Sequence, residues 1–358
     1  MRILHVADTH LGMRQYGLEA RRRDFSNAFQ QVIDAAIQQG VSAVIHAGDL
    51  FDNRLPSMED LREVFRQLSQ LRQANIPFLG IVGNHESKRD AQWLDLFAQL
   101  GMAVHLNHEE PYDLNGIPVH GVDYISRRPG EVHPPEVDGG ILVMHQLTNA
   151  KEVTPSGELA MEALFKCGAR LVLLGDYHEH QIWREGEVLV SYCGSTERIS
   201  TTERARRGFT IFDYENLSLE RHELDTRRFT YLGTQDKPLD DPVAELDAMT
   251  HLVKDSVTVI RPSQGTLTPR QLQEEGLKRG ALFVIVRRPQ EVVVDAEEGG
   301  PAISQLQIEQ LDNAIFEEIQ KREFSKLVAD MDQIIRDPSV VGTKVDERIT
   351  QLLEEAGV

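Results

Sequence analysis

Residues 1–12 read MRILHVADTHLG, an apolar run that hands over at once to an acid and an imidazole. The same handover recurs four times: VSAVIHAGDLFD at 41–52, PFLGIVGNHE at 77–86, ILVMHQ at 141–146 and LVLLGDYHEH at 171–180. Short apolar runs bounded by Gly, Asp and Asn read as strands. Between the first three lie helical stretches. Residues 19–39 put Phe25, Phe29, Val32, Ile33, Ala36 and Ile37 on one face, with Gly40 as the stop. Residues 57–74 turn Leu61, Val64, Phe65, Leu68 and Leu71 inward, and residues 90–100 carry Trp93, Leu94 and Phe97. Strands alternating with helices make this an α/β layer fold.

Further short β runs follow at 102–106, 117–124, 188–192 and 209–214. So many strands overfill one doubly wound sheet. The expectation is two packed sheets, a β-sandwich flanked by helices, over residues 1–234. Residues 235–242 read as a linker, and 243–300 as a small α+β unit with strands at 282–287 and 291–294. Residues 303–358 carry a long helical pattern from 303 to 335, a break at Pro338 and a last short helix.

Composition narrows the class. The 358 residues carry 57 acidic and 38 basic side chains, a formal charge of −19. That charge repels phosphate at long range but leaves binding through divalent metals and a local basic surface open. Two cysteines, Cys167 and Cys193, build neither a disulfide framework nor a multi-cysteine metal site. The first residues resemble neither a signal nor a transit peptide, and no apolar run reaches membrane-spanning length. A soluble, cytoplasmic protein with no membrane contact is expected. No P-loop is present.

Ligands in open α/β sheets gather at the carboxyl ends of strands, so the five groups can converge. Asp8 and His10 are two apart, as are Asp176 and His178, which puts each pair on one side of an extended chain. Gly48, Gly83 and Gly175 allow sharp turns where strands deliver these residues. Carboxylates, imidazoles and an amide oxygen suit manganese, iron or zinc in a paired site. A carboxylate such as Asp49 bridges two ions in that device for in-line phosphoryl displacement.

Asp8-x-His10, Gly48-Asp49, Gly83-Asn84-His85-Glu86, His145 and Gly175-x-x-His178 resemble the five motifs of calcineurin-like metallophosphoesterases. The stretches ADTHLG at 7–12, GDLF at 48–51, YCGSTER at 192–198 and DTRRF at 225–229 narrow the likeness. They resemble the Mre11/SbcD family of DNA double-strand break repair nucleases, archaeal type, over residues 1–232. The resemblance implies one metal on Asp8, His10, Asp49 and His178, and a second on Asn84, His145, Asp176 and the shared Asp49. It makes His85 the catalytic non-ligand that assists the leaving oxygen. Two Mn2+ are implied, with Mg2+ or another divalent metal possible.

Two departures stand out. The family has Gly-His-x-His where this chain has Gly175-Asp176-Tyr177-His178, and a second register takes His178 and His180 as the pair. Family members often place His after Gly-Asp-Leu-Phe, where this chain has Asp52, a position that bears on exonuclease action.

The implied activity is hydrolysis of phosphodiesters as a 3′–5′ double-strand exonuclease and single-strand endonuclease. Arg14, Arg54, Lys88, Arg89 and Arg198 are the candidate phosphate contacts, within a wider set including Arg21, Arg22, Arg23, Arg204, Arg206 and Arg207. The family also implies a homodimer through helices near 60–71 and 90–100, and a Rad50/SbcC-type ATPase docking on the carboxyl-terminal helices, here 303–358. Two other readings remain open at this point: a phosphoesterase for small nucleotides or phosphoproteins, and a non-catalytic DNA-end scaffold.

Overall fold

The computed structural model describes residues 1–87, 92–128, 130–263 and 267–287. The expected strand at 291–294 and the helices within 303–358 lie outside the described residues.

The strands β1 (Arg2–Val6), β2 (Ala43–His46), β3 (Phe78–Gly80) and β4 (Val104–His105) run parallel in one sheet. The second sheet takes β5 (Tyr112–Leu114), β6 (Ile117–Val122), β7 (Ile141–His145), β8 (Leu171–Gly175), β9 (Gln181–Glu185) and β10 (Val188–Tyr192). Then β11 (Gly208–Asp213) and β12 (Ser218–Glu223) return to the first sheet. Its order is β12-β11-β1-β2-β3-β4, and that of the second is β5-β6-β7-β8-β10-β9. Both sheets have a parallel centre and antiparallel edge strands at one or both sides. The two-sheet expectation is met.

The central strands are buried on both faces, which is why they read as unbroken apolar runs. Ile141, Val143, Leu171 and Leu173 share one core with the first sheet and its helices. Their neighbours Leu142, Met144, Val172 and Leu174 pack into a second core on the opposite face. Helix α1 (Glu19–Gln39) covers the first sheet with Phe25, Phe29, Val32, Ile33 and Ala36, and Gly40 ends it at φ +57°. Helix α2 (Met58–Gln73) begins with a capping box in which Ser57 Oγ accepts from Asp60 N at 3.2 Å. Ile37 and Phe65, expected inward, are exposed, because the buried stripe is narrower than the apolar one. Helix α3 (Trp93–Gln99) buries Leu94 and Phe97.

Strand β13 (Phe229–Leu232) leaves the sandwich and pairs with β14 (Val257–Ile260), which pairs in turn with β15 (Phe283–Val286), all parallel. The small sheet therefore takes its first strand from within residues 1–234. The segment read as a linker is laid against it: Leu239 N donates to Arg261 O, and Ser263 N to Leu239 O, both at 2.8 Å. Short helices, among them α4 (Pro269–Lys278), close its core of Leu232, Leu246, Ile260, Leu272 and Val284.

Candidate metal centre

The carboxyl ends of β1, β2, β3, β7 and β8 open at one edge of the sandwich, and all five sequence groups meet there. The first two loops are laced by backbone hydrogen bonds. Asp8 N donates to Gly48 O at 3.1 Å, and His10 N to Asp49 O at 3.1 Å. Asp176 N donates to Asp8 Oδ1 at 3.1 Å, which ties in the second sheet.

The residues do not converge as extended strand would deliver them. Asp8, His10, Asp49 and Asp176 have φ of 51°, 42°, 56° and 86°, all left-handed. Each such residue costs roughly 1 kcal/mol or more, and such conformations cluster at functional sites. The glycines also act differently from expectation. Gly48 has φ +90°, but Gly83 and Gly175 have no left-handed backbone. They are needed for close approach: a Cβ on Gly83 would lie 2.1 Å from Asp49 Oδ1, and one on Gly175 2.0 Å from Ala47 O.

Asp49 Oδ2 sits at the middle. His145 Nε2 lies 3.5 Å from it, His10 Nε2 3.6 Å and His85 Nε2 4.0 Å. Asn84 Oδ1 is 3.0 Å from His145 Nε2, and Asp176 Oδ1 is 3.8 Å from it. Donor atoms of Asp8, His10 and His178 fall within 4.8 Å of one another, as do those of Asp8, Asp49 and His145. His180 stands apart, donating Nδ1–H to Tyr192 O at 3.0 Å. Asp176 faces His145 and His178 faces Asp8 and His10, whereas Nδ1 of His180 is taken up by a backbone carbonyl.

Three imidazoles are oriented alike. His145 Nδ1 donates to Ala47 O at 2.7 Å, His178 Nδ1 to Glu203 Oε1 at 2.9 Å, and His85 Nδ1 to Asp52 O at 3.0 Å. Those bonds place a proton on Nδ1 and turn each Nε2 toward the centre. His10 Nδ1 lies 3.5 Å from Asp52 Oδ1.

The electrostatics follow from this crowding. Burial alone raises the Asp49 carboxyl, but His145, His10 and His85 outweigh it and hold it well below the carboxylate range. Burial also disfavours the charged form of His145, yet Asp49, Asp176 and Asp8 push it up to about 10. Burial pushes Asp176 up to about 6; His145 opposes, while Asp8 and Asp49 reinforce. The carboxylates thus concentrate negative charge at the centre.

The donor set fits divalent metals. Asp8 Oδ2 and both ring nitrogens of His10 are buried without a hydrogen-bond partner, a costly state that a bound cation relieves. The carboxylate, imidazole and amide donors match borderline metals.

Sequence reasoning left two supporting residues without roles. Glu86 is buried and accepts from Leu50 N and Phe51 N at 3.1 Å and Gly83 N at 3.3 Å, clamping the second and third loops together. Burial, reinforced by Asp49, pushes its carboxyl up to about 7. Its signal was its place in the Gly83–Glu86 motif. Glu203, which holds His178, carried no signal.

The basic candidates divide. Arg14 and Arg54 are exposed, while Lys88 and Arg89 lie outside the described residues. Arg198 is a correction: its guanidinium donates to Glu203 O, Thr226 Oγ1, Arg227 O and Ala205 O, so it fastens the fold. Arg21, Arg22 and Arg207 are likewise buried in ion pairs. The 192–198 block is structural too, with Tyr192 OH donating to Gln146 O at 2.6 Å and Ser195 and Cys193 buried.

Residues 1–180 match the family described as calcineurin-like phosphoesterase. A Halobacterium salinarum protein named DNA double-strand break repair protein Mre11 is 34% identical over 369 residues, covering 99% of this chain and 94% of its own. The chain belongs to the Mre11 family. Mre11 of Haloferax volcanii is 32% identical, covering 99% of this chain and 81% of its own. Mre11 of Methanosarcina mazei is 38% identical over 97% of this chain. The chain spans only 58% of that relative's length and 61% of the Methanosarcina acetivorans one. No helix among the described residues is long and apolar enough to cross a membrane.

Proposed function

We propose that this Mre11-family chain is a metal-dependent phosphodiesterase that processes DNA ends in double-strand break repair, with manganese as the working metal. The observation that carries the reading is Asp49 Oδ2 faced by three imidazole nitrogens at 3.5–4.0 Å, the arrangement of a carboxylate shared between two cations. Asp8, His10, Asp49 and His178 would hold one ion, and Asp49, Asn84, His145 and Asp176 the other. Bound there, the ions would supply Lewis acidity and charge neutralisation toward a phosphodiester.

The chain's own contribution is orientation and proton handling. His85 is the half-exposed member of the cluster, with Nδ1 anchored on Asp52 O and Nε2 turned to the centre. It is placed to protonate a departing alkoxide, a role worth ~10²–10⁴-fold. Asp52 O fixes the ring, while its carboxylate stands toward His10. Exposed Arg14 and Arg54 support backbone phosphate contact without sequence reading. The exposed Met58 and Phe65 of α2, with Leu96 of α3, support a homodimer. A Rad50/SbcC-type ATPase docking on residues 303–358 completes the proposal.

The test incubates the full chain with linear duplex DNA and manganese, beside a His85→Gln variant and a magnesium-only control, over a range of salt. Manganese-dependent shortening lost in His85→Gln supports the reading. Folded, metal-loaded protein that leaves DNA intact but hydrolyses a small phosphodiester overturns the substrate class.

A further inference from the structure

Glu203 reaches the centre from outside the five strand-end loops. One of its carboxylate oxygens accepts Nδ1–H of His178 at 2.9 Å. The other accepts Ile199 N at 3.0 Å and faces Arg207 Nη1 at 3.5 Å. Arg207, itself buried, donates to the backbone carbonyl of His178 at 2.6 Å. His178 is thereby gripped at ring and backbone by one Glu–Arg pair.

The same short segment is held at its other side by the small sheet. Tyr231 of β13 donates its hydroxyl to Thr201 O at 3.0 Å. Arg287, just past β15, donates Nη2 to Thr201 Oγ1. The Arg204 guanidinium lies 3.9 Å over the Tyr231 ring. Only Thr202 separates Thr201 from Glu203, so displacement of one is transmitted to the other through a stretch of chain with little slack.

We infer that Glu203 is a positioning residue for His178, and that the small three-stranded unit sets metal occupancy through the Thr201–Glu203 segment. The inference rests on the metal centre proposed above. A carboxylate accepting Nδ1–H fixes the ring so that Nε2 presents its lone pair, and it raises the basicity of that nitrogen. Loss of such an outer partner costs about 10–100-fold in metal affinity. Without the anchor the imidazole rotates freely, and the ion loses one pre-set donor.

The experiment titrates manganese into the full chain by calorimetry and electron paramagnetic resonance, with urea unfolding as a fold check. The variants are Glu203→Ala, Glu203→Gln, Tyr231→Phe and Asp8→Ala. Glu203→Ala is expected to weaken one ion by about 10–100-fold. Glu203→Gln, whose amide oxygen still accepts the imidazole N–H, restores most of that affinity. Tyr231→Phe, which removes the hydroxyl that holds Thr201 O, weakens the same ion severalfold. Folded Glu203→Ala and Tyr231→Phe proteins with wild-type manganese affinity overturn the inference. Where Glu203→Ala does not fold, Tyr231→Phe decides: a severalfold loss supports the inference and unchanged affinity overturns it. Undiminished binding in Asp8→Ala overturns the metal centre itself, a different failure.

Discussion

Gly83 offers a direct trial of how tightly the centre is built. Its backbone lies outside the left-handed region, so alanine is conformationally permitted there. The obstacle is space: the new Cβ would lie 2.1 Å from Asp49 Oδ1 and 2.3 Å from Asp49 N, where ordinary contact begins near 3.4 Å. Asp49 must retreat by roughly 1.3 Å or the third loop must lift, and overpacking of this kind costs ~3 kcal/mol. His85 N donates to Asp49 Oδ1 at 2.9 Å, so His85 moves as well. A ligand misplaced by about 1 Å costs ~10²-fold in a geometry-dependent reaction. Gly40→Ala is the reference: its φ of +57° imposes backbone strain, with no atom within 4 Å of the new methyl. Urea unfolding in chelator and manganese calorimetry should show Gly40→Ala losing ~1 kcal/mol with metal affinity intact. Gly83→Ala should lose about three times as much stability and ~10²-fold in affinity. A Gly83→Ala protein that matches Gly40→Ala in stability and wild type in affinity would refute the reasoning.

Three further outcomes are expected. His105 lies between Asp95, at 2.6 Å, and Asp123, at 3.0 Å; burial opposes its charge, but the two carboxylates push it up to about 9. Its ion pairs therefore stabilise fully below pH ~6.5 and fade as pH rises through about 9, by ~1.5 kcal/mol after solvent screening. Urea midpoints across that window should fall in wild type and stay flatter in His105→Gln. His178→Gln should weaken manganese binding by about 10-fold or more, and His180→Gln by less than about 2-fold; calorimetry showing the reverse would restore the other register. Arg198→Ala should destabilise the fold by ~2 kcal/mol while Arg54→Ala lowers the salt dependence of DNA binding by about one phosphate, read from unfolding curves and binding isotherms.

The sandwich was legible because its central strands are buried on both faces, leaving unbroken runs such as 141–144 and 171–174. Edge strands were harder. The segments Gln181–Glu185 and Ser218–Glu223 are polar and half exposed, and only pairing with a neighbour makes them strands. The candidate ligands stood out for a different reason: Asp, His and Asn directly after an apolar run have no packing task. What holds them was not legible. Glu203 and Arg207 act across 25 and 29 residues of chain from His178, a separation that periodicity cannot cross. The same holds for the arginines, since exposed and buried guanidinium groups look alike in a charged run. Arg198 reads as a surface cation until its carbonyl partners are seen.

The left-handed backbone of Asp8, His10, Asp49 and Asp176 has a consequence for how such a protein evolves. Glycine is the residue best suited to those dihedral angles, so replacing one of these residues by glycine would relax the chain and remove a candidate donor at once. A lineage released from the need to bind metal would find these positions among its easiest routes to a sturdier fold. All four positions carry a side chain that their backbone alone disfavours, so the donors of the site come at a cost in fold stability.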